Sequence, residues 1–387
     1  MDCRSWEAGT FATVFSGGEG WGVGAVAAGL RPLWGIEHDA EIAGVANQNL
    51  GGHVHVADIL ETDPQTFESP EYLHASPPCP NFSNAKTGAR EAESDIALGR
   101  ATARFIETLQ PRVFTLENVY LYRRSTSWEI IRDTLNRCGY WFDLAHVNAA
   151  DFGVPQTRKR MIVRAVRGGM VPYLPEPEPW KGWYQAIEDL IPGLPESQFA
   201  PWQLARLDDT LRETVLLSQG ISRDHKGNEY GVTMRTGEEP AFTVTANWNM
   251  NGIRAYLVSN AKTEYSDGIR EADKPALSVT PQHGGRLRAF GVGQNYGSPN
   301  TDEKRKLSIR TANEPIFTIE AESNRLLTRA WLESGHVVKM IPRCLARWQT
   351  FPDIYELPEK TTLASRIIGN AVPPLLAKKL LRQLQAR

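Results

Sequence analysis

The sequence predicts an α/β fold: a doubly wound parallel sheet accompanied by a smaller β-rich domain. Three observations predict it. Over residues 10–170, short apolar runs alternate with segments of helical spacing, the pattern of strands joined by crossover helices. A glycine-rich turn, Gly17-Gly18-Glu19-Gly20, follows the first apolar run, where such sheets take their ligands. Near Gly168 the composition changes to a proline-rich stretch, beyond which helical periodicity is scarce and Thr, Asn and Gly are frequent.

The elements follow in order. Thr10 to Phe15 reads as the first strand and Gly24 to Gly29 as a helix of small residues. Leu33 to Ile36 is a second strand, Ile42 to Leu50 a helix, Val54 to Ile59 a third strand and Tyr72 to Ala75 a fourth. Ile96, Ala97, Phe105, Ile106 and Leu109 recur at helical spacing, and Pro111 stops that helix. Val113 to Leu116 is a fifth strand. Trp128 to Cys138 is helical and Gly139 caps it. Met161 to Val166 is a further strand. The run from Val171 to Pro179 carries four prolines and reads as an extended linker. Beyond it, Glu239-Pro240, Lys274-Pro275 and Glu314-Pro315 each lead into a short alternating run, a loose repeat of turn-to-strand units. The chain becomes helical again over Ala364 to Ile368 and Leu375 to Leu384, and a terminal helix after a β-rich insertion is expected to pack back on the first domain.

Composition narrows the function classes. No apolar run approaches the roughly 18 residues that span a membrane, and Met1-Asp2-Cys3-Arg4 does not begin a signal peptide. The four cysteines are scattered without a CxxC pair, which points to a reducing, intracellular setting and away from structural zinc. The net charge of −2 is not that of an overall basic nucleic-acid binder. Two basic clusters stand out nonetheless. One runs from Arg286 and Arg288 to Arg310, and the other is Arg158-Lys159-Arg160 with Arg164 and Arg167.

The candidate chemistry centres on Cys79. It ends the run Ala75-Ser76-Pro77-Pro78-Cys79, and two prolines exclude it from a helix interior or a central strand. The thiol is therefore expected on a rigid turn at the mouth of the fourth strand, as a nucleophile would be. Gly17 and Gly20 suit close approach of a ligand to the backbone, and Gly20-Trp21-Gly22-Val23-Gly24-Ala25 satisfies the dinucleotide fingerprint. Glu37 closes the second strand, where an acid accepts hydrogen bonds from ribose hydroxyls, and Asp58 closes the third, within reach of an adenine amino group. Either acid alone reads more readily as a surface carboxylate or helix cap. Glu117 ends the apolar fifth strand beside Asn118; burial there is expected to raise its pKa and let it donate to a ring nitrogen. Arg158 and Arg160, two apart on an extended segment, share a face; one can steady Glu117 and the other reach a base oxygen or phosphate.

Taken together and in this order, these blocks resemble the DNA cytosine-5 methyltransferases. The family's glycine turn corresponds to Phe15, Gly17 and Gly20, its strand-end acids to Glu37 and Asp58, and its nucleophile block to Pro78-Cys79. Its Glu-Asn-Val is Glu117-Asn118-Val119, and its Gln-x-Arg-x-Arg is Gln156, Arg158 and Arg160. Arg343 to Pro352 looks like the family's Arg-rich helix and Phe-Pro turn, and Gly369-Asn370-Ala371-Val372-Pro373-Pro374 matches its last motif. Three positions depart from the pattern: Glu19 stands for a usual glycine, Thr13 for a frequent aspartate and Pro80 for the glutamine after the nucleophile.

The resemblance implies a Rossmann-like S-adenosylmethionine-dependent methyltransferase domain with a β-rich target-recognition domain. It places the first in residues 1–170, completed by 355–387, and the second in 171–354. S-adenosyl-L-methionine would be held by Phe15, Gly17, Gly20, Glu37, Asp58, Pro78, Asn370 and Ala371. Cys79, Glu117, Arg158 and Arg160 would be catalytic, and double-stranded DNA would be met by Ser83, Lys86, Arg90, Arg286 and Arg288. The segment from Pro80 to Gly99 would close over the DNA. No metal and no membrane is implied. The chain is expected to be monomeric and cytoplasmic, and to need no cognate restriction endonuclease. A nicotinamide-dependent oxidoreductase would explain only the glycine turn and Glu37. The tRNA-methylating branch would share most motifs, though the long insertion favours DNA. A non-catalytic DNA-binding homologue would be expected to lack Cys79 or Glu117.

Overall fold

The computed structural model describes residues 9–78, 91–197 and 337–385, and between the last two only the backbone of short strands. Cys79, Ser83, Lys86, Arg90, Arg286, Arg288 and the three proline-led repeats lie outside the described residues.

The first half of the chain forms β1 (Thr10–Val14), α1 (Gly20–Ala27), β2 (Arg31–Glu37), α2 (Ala40–Leu50), β3 (Val54–Val56) and β4 (Tyr72–Ala75). It continues through α3 (Glu93–Leu109), β5 (Val113–Asn118), α4 (Thr126–Arg137), β6 (Tyr140–Asn148) and β7 (Lys159–Arg167). These seven strands make one sheet in the order β3-β2-β1-β4-β5-β7-β6. The first five run parallel, whereas β7 is antiparallel to both β5 and β6. The wholly parallel sheet expected from the alternation is thus corrected to a mixed one, because the link from β6 to β7, residues 149–158, carries only the 3-10 helix Ala149–Phe152 and no crossover helix. The helix expected from Gly24 begins at Gly20, and the segment expected to be loop as far as Gly99 is already helical from Glu93.

Local chemistry sets the helix ends. Asp39 accepts from the backbone N–H of Glu41 and Ile42 at the start of α2, and Gly51 ends it with φ 87°. Ser125 accepts from Trp128 at the start of α4, and Gly139 (φ 75°) follows its end as expected. Strand alternation sends Ala12 and Val14 of β1 to one face of the sheet, with Phe105, Ile106, Ile131 and Leu135 of α3 and α4. Phe11 points to the other face, with Trp21 and Ala25 of α1.

That second face is closed by the C-terminal segment: α5 (Pro342–Trp348), α6 (Thr361–Asn370) and α7 (Pro374–Gln385). Ala377, Leu381 and Leu384 of α7 join the Phe11–Trp21 cluster. The approach is close enough to explain two glycines. A Cβ on Gly20 would lie 2.5 Å from the Val372 carbonyl oxygen, and one on Gly24 would lie 2.4 Å from that of Pro374. Residues 342–354 meet both parts of the chain: Trp348 Nε1 donates to the carbonyl of Trp183, beyond the linker, at 3.0 Å, and Gln349 Nε2 to that of Ile368 in α6 at 2.8 Å.

Beyond the linker are β8 (Glu196–Ser197), β9 (Leu216–Gln219), β10 (Ser222–Arg223), β11 (Glu229–Tyr230), β12 (Thr233–Arg235), β13 (Ile253–Tyr256), β14 (Arg329–Trp331) and β15 (Val337–Lys339). Six of them form a second, antiparallel sheet running β12-β9-β13-β15-β14, with β8 paired to β15. No described helix is long and apolar enough to cross a membrane.

Candidate active site

The parallel strands end on a common edge, and the candidate residues gather there. After β1 the chain turns through Phe15 (φ 59°) and Gly17 (φ 54°) into α1. A Cβ on Gly17 would meet nothing within 4 Å, so the turn faces open space there. Gly20, by contrast, is buried against Ala371 and Val372, so its missing side chain makes room for the chain itself. At the end of β2, Glu37 accepts from the Gly17 N–H at 2.9 Å and the Asp39 N–H at 3.0 Å, tying the glycine turn to the second strand. Asp58 follows β3, exposed, with one carboxylate oxygen on the Leu60 N–H at 2.9 Å. Asn370 ends α6 exposed, and Pro78 is the last described residue before Cys79.

Glu117 and Asn118 end β5, both buried. Arg160 Nε lies 3.0 Å and Arg158 Nη2 3.6 Å from the same oxygen, Glu117 Oε1. Arg158 is buried and reaches further: Nη1 donates to the Gly369 carbonyl at 3.0 Å, joining the acid to the C-terminal motif. Its backbone N–H is held by Asn148 Oδ1 at 3.1 Å. Asn118 Nδ2 donates to the Pro77 carbonyl at 3.0 Å, anchoring the turn two residues before Cys79. Glu117, Arg158 and Arg160, separated by some 40 positions in sequence, are therefore together.

The basic cluster read from sequence does not form one surface. Arg164 is buried and pairs with Asp143, while Arg167 is exposed at the opposite end of β7, on Gln110 Oε1. The reason is strand alternation and length: only the start of β7 lies at the carboxyl ends of the parallel strands.

Several neighbouring groups have partners that the sequence does not announce. His74 on β4 is buried, with Nδ1 2.9 Å from Thr115 Oγ1 and Nε2 2.8 Å from Ser76 Oγ. Its ring stacks on Trp21 of α1, centroids 4.6 Å apart. Burial lowers its pKa to about 3, so it is neutral. Beside the glycine turn, Thr13 Oγ1 donates to the buried Glu19, and His53 Nε2 stands 3.4 Å from the same oxygen. No short motif joins positions 13, 19 and 53, and nothing flagged His74 as more than strand interior.

The donor set suits a nucleoside cofactor. Glu37 offers a carboxylate at the open turn, Asp58 a second one on the next strand end, and Gly17 a backbone that a ligand can approach. The strand order and these strand ends define an S-adenosylmethionine-dependent methyltransferase of the α/β class. Residues 9–386 match the family described as C-5 cytosine-specific DNA methylase. The chain belongs to that family, whose methyl donor is S-adenosyl-L-methionine and whose substrate is DNA.

Among curated relatives it is 23% identical over 386 residues to the type II methyltransferase M1.HphI of Haemophilus parahaemolyticus, covering 95% of this chain and 84% of that one. It is 26% identical over 367 residues to the DNA (cytosine-5)-methyltransferase 2 of Arabidopsis thaliana, covering 85% of this chain but 23% of that much longer one. In fold it is similar to a DNA modification methyltransferase encoded within an Escherichia coli prophage. The TM-score is 0.56 and the identity 17%, covering 98% of this chain and 99% of that one.

Proposed function

We propose that this enzyme methylates carbon 5 of a flipped-out cytosine in duplex DNA, at a fixed sequence, through a transient covalent bond between Cys79 and the base. The observation that carries the reading is the cluster at the end of β5. Glu117 is held by two arginines while Asn118 grips the turn that leads to Cys79. A cytosine seated there would meet a carboxyl group at ring nitrogen 3 and the Arg160 guanidinium at its carbonyl oxygen. Arg158, tied to Gly369, positions both. Addition of the Cys79 thiolate to carbon 6 pushes electrons towards carbon 5, and Glu117 shares a proton with nitrogen 3 to accept them. S-adenosylmethionine, which Glu37, Asp58 and the glycine turn would hold with Phe15, Pro78, Asn370 and Ala371 around it, would supply the methyl group that carbon 5 takes, leaving as S-adenosylhomocysteine. Loss of the carbon 5 proton to a base then expels the thiolate and restores the ring. Stacking covers the ring faces from which a thiolate and a methyl donor must approach, and base pairing occupies nitrogen 3, which is why the base must leave the helix.

In this reading residues 1–170 with 355–387 form the catalytic domain and 171–354 the target-recognition domain. Ser83, Lys86, Arg90, Arg286 and Arg288 contact DNA. The enzyme acts as a cytoplasmic monomer without needing an endonuclease, as the modification half of a restriction–modification pair or in phage DNA protection. The type II relative supports the first role. Bisulfite sequencing of plasmid from expressing cells tests the proposal. Protected cytosines are expected in one sequence context, and are expected to vanish with Cys79→Ala. Full conversion with the wild-type enzyme would refute it, and methylated tRNA with unmethylated plasmid would move the substrate to RNA.

A further inference from the structure

Glu19 is a costly residue where it stands. It occupies the left-handed region (φ 57°, ψ 35°), which a non-glycine residue enters at a penalty, and its side chain is fully buried. It immediately precedes α1 yet caps none of its N–H groups with its side chain. Glycine at this position would relieve both costs.

The surroundings are shaped to keep the carboxylate. A Cβ on Gly22 would lie 1.9 Å from Glu19 Oε2. One on Gly35 of β2 would lie 3.0 Å from Glu19 Oε1, 2.9 Å from Thr13 Oγ1 and 2.7 Å from Ser16 Oγ. Two glycines on different elements therefore make room for one side chain. Glu19 Oε1 accepts from Thr13, whose hydroxyl is 2.7 Å from that of Ser16, and Ser16 Oγ reaches the Ile36 carbonyl at 3.1 Å. Oε2 has no hydrogen-bond partner among the described residues. From the turn before β3, His53 Nε2 approaches Oε1 at 3.4 Å, while its Nδ1 is 3.3 Å from the Leu50 carbonyl. Burial works against a charged His53, but the Glu19 carboxylate outweighs it and the pKa is raised. Among the described residues a further titratable group nearby is Tyr355, whose hydroxyl donates to the Gly18 carbonyl at 2.7 Å and whose pKa is pushed up by burial and then by Glu19.

We propose that Glu19 is a positioning residue for the cofactor turn: its carboxylate, held by Thr13 and His53, locks the segment Phe15 to Gly20 in the shape that receives S-adenosylmethionine. The groups it joins sit on β1, on the turn itself and before β3, and the turn is tied to β2 through Ser16 and Glu37. These are the same strand ends that present Gly17, Glu37 and Asp58. The carboxylate is sealed from solvent, so it acts through the backbone and not by touching the ligand. The inference rests on the reading that this turn holds the cofactor.

The sign of its pH dependence follows from His53. A raised folded-state pKa means the pairing is complete at low pH and is lost as pH rises through that value, leaving a buried carboxylate with Thr13 alone.

The test is calorimetric binding of S-adenosylhomocysteine to wild type, Glu19→Gln and Glu19→Gly from about pH 6 to about pH 9, with thermal melts of the unliganded proteins and steady-state kinetics alongside. Wild-type affinity is expected to weaken as pH rises. Both variants are expected to bind about tenfold more weakly at pH 6, in the range of intramolecular coupling, with a flat pH profile. KM for the cofactor should rise by a similar factor while kcat at saturation changes little. If Glu19 is merely tolerated, Glu19→Gly will melt higher and bind as wild type does, and the proposal falls. Failure of wild type itself to bind would instead overturn the assignment of the cofactor site.

Discussion

His74 offers a quantitative check on the polar layer beside the turn that leads to Cys79. It is buried between Thr115 and Ser76, and Ser76 leads directly into Pro77-Pro78-Cys79. Its pKa falls from 6.5 in a solvated chain to about 3 here, because burial penalises the imidazolium. Between those values the unfolded chain binds a proton that the folded protein refuses. Stability is therefore complete above the unfolded value and declines as pH falls towards the folded one. From about pH 7.5 to about pH 5 this single group should remove about 2 kcal/mol of folding stability. His74→Phe keeps a ring against Trp21 but cannot titrate; at pH 7.5 it should be about 1–3 kcal/mol less stable than wild type through the two abandoned hydroxyl partners, and position 74 then adds no acid loss of its own. Urea unfolding of both proteins at the two pH values isolates the term: the gap between them is expected to narrow by about 2 kcal/mol in acid. A gap of constant width would show that His74 carries a proton in the folded protein, and the argument from burial would fail.

Two further outcomes follow from the C-terminal packing and the arginine fork. Leu381→Ala should cost about 3–4 kcal/mol in urea unfolding, because α7 supplies a fully buried wall of the Phe11–Trp21 cluster. Arg158→Lys keeps the charge but cannot span both Glu117 and the Gly369 carbonyl. It should lower the rate of labelled methyl transfer roughly a hundredfold while leaving cofactor binding near wild type.

Much of this arrangement was readable from the chain because its signals are local. Val113 to Leu116 is a strand-forming run broken only by the β-branched Thr115, and Arg158 and Arg160 are two apart, so a strand bearing Glu117 and a pair of arginines on one face needed no tertiary information. What escaped reading was non-local or masked by composition. Tyr140–Asn148 hides as a strand because it lies at the sheet edge with its outward residues exposed, Trp141 by 69%. The direction of β7 leaves no trace in Met161 to Val166, since an apolar run looks the same read parallel or antiparallel. The first turn of α1 is rich in glycine, a poor helix former, so its pattern hides the helix; Gly20 and Gly24 stand there because the Val372 and Pro374 carbonyls leave no room for a Cβ. Thr13, Glu19 and His53 meet only once three strands are side by side.

The seat of α7 on α1 has a consequence for how the protein is made. Trp21 leaves the ribosome roughly 360 residues before Leu381, a wait of about 20–70 s at ordinary elongation rates. During that interval Phe11, Trp21 and Leu30 lack their final cover, and the nascent chain presents an oily groove to chaperones and to its neighbours on the polysome. Shortening the chain before Pro374 would make that transient exposure permanent, so such fragments should accumulate in inclusion bodies even though every strand of the first sheet has already been synthesised.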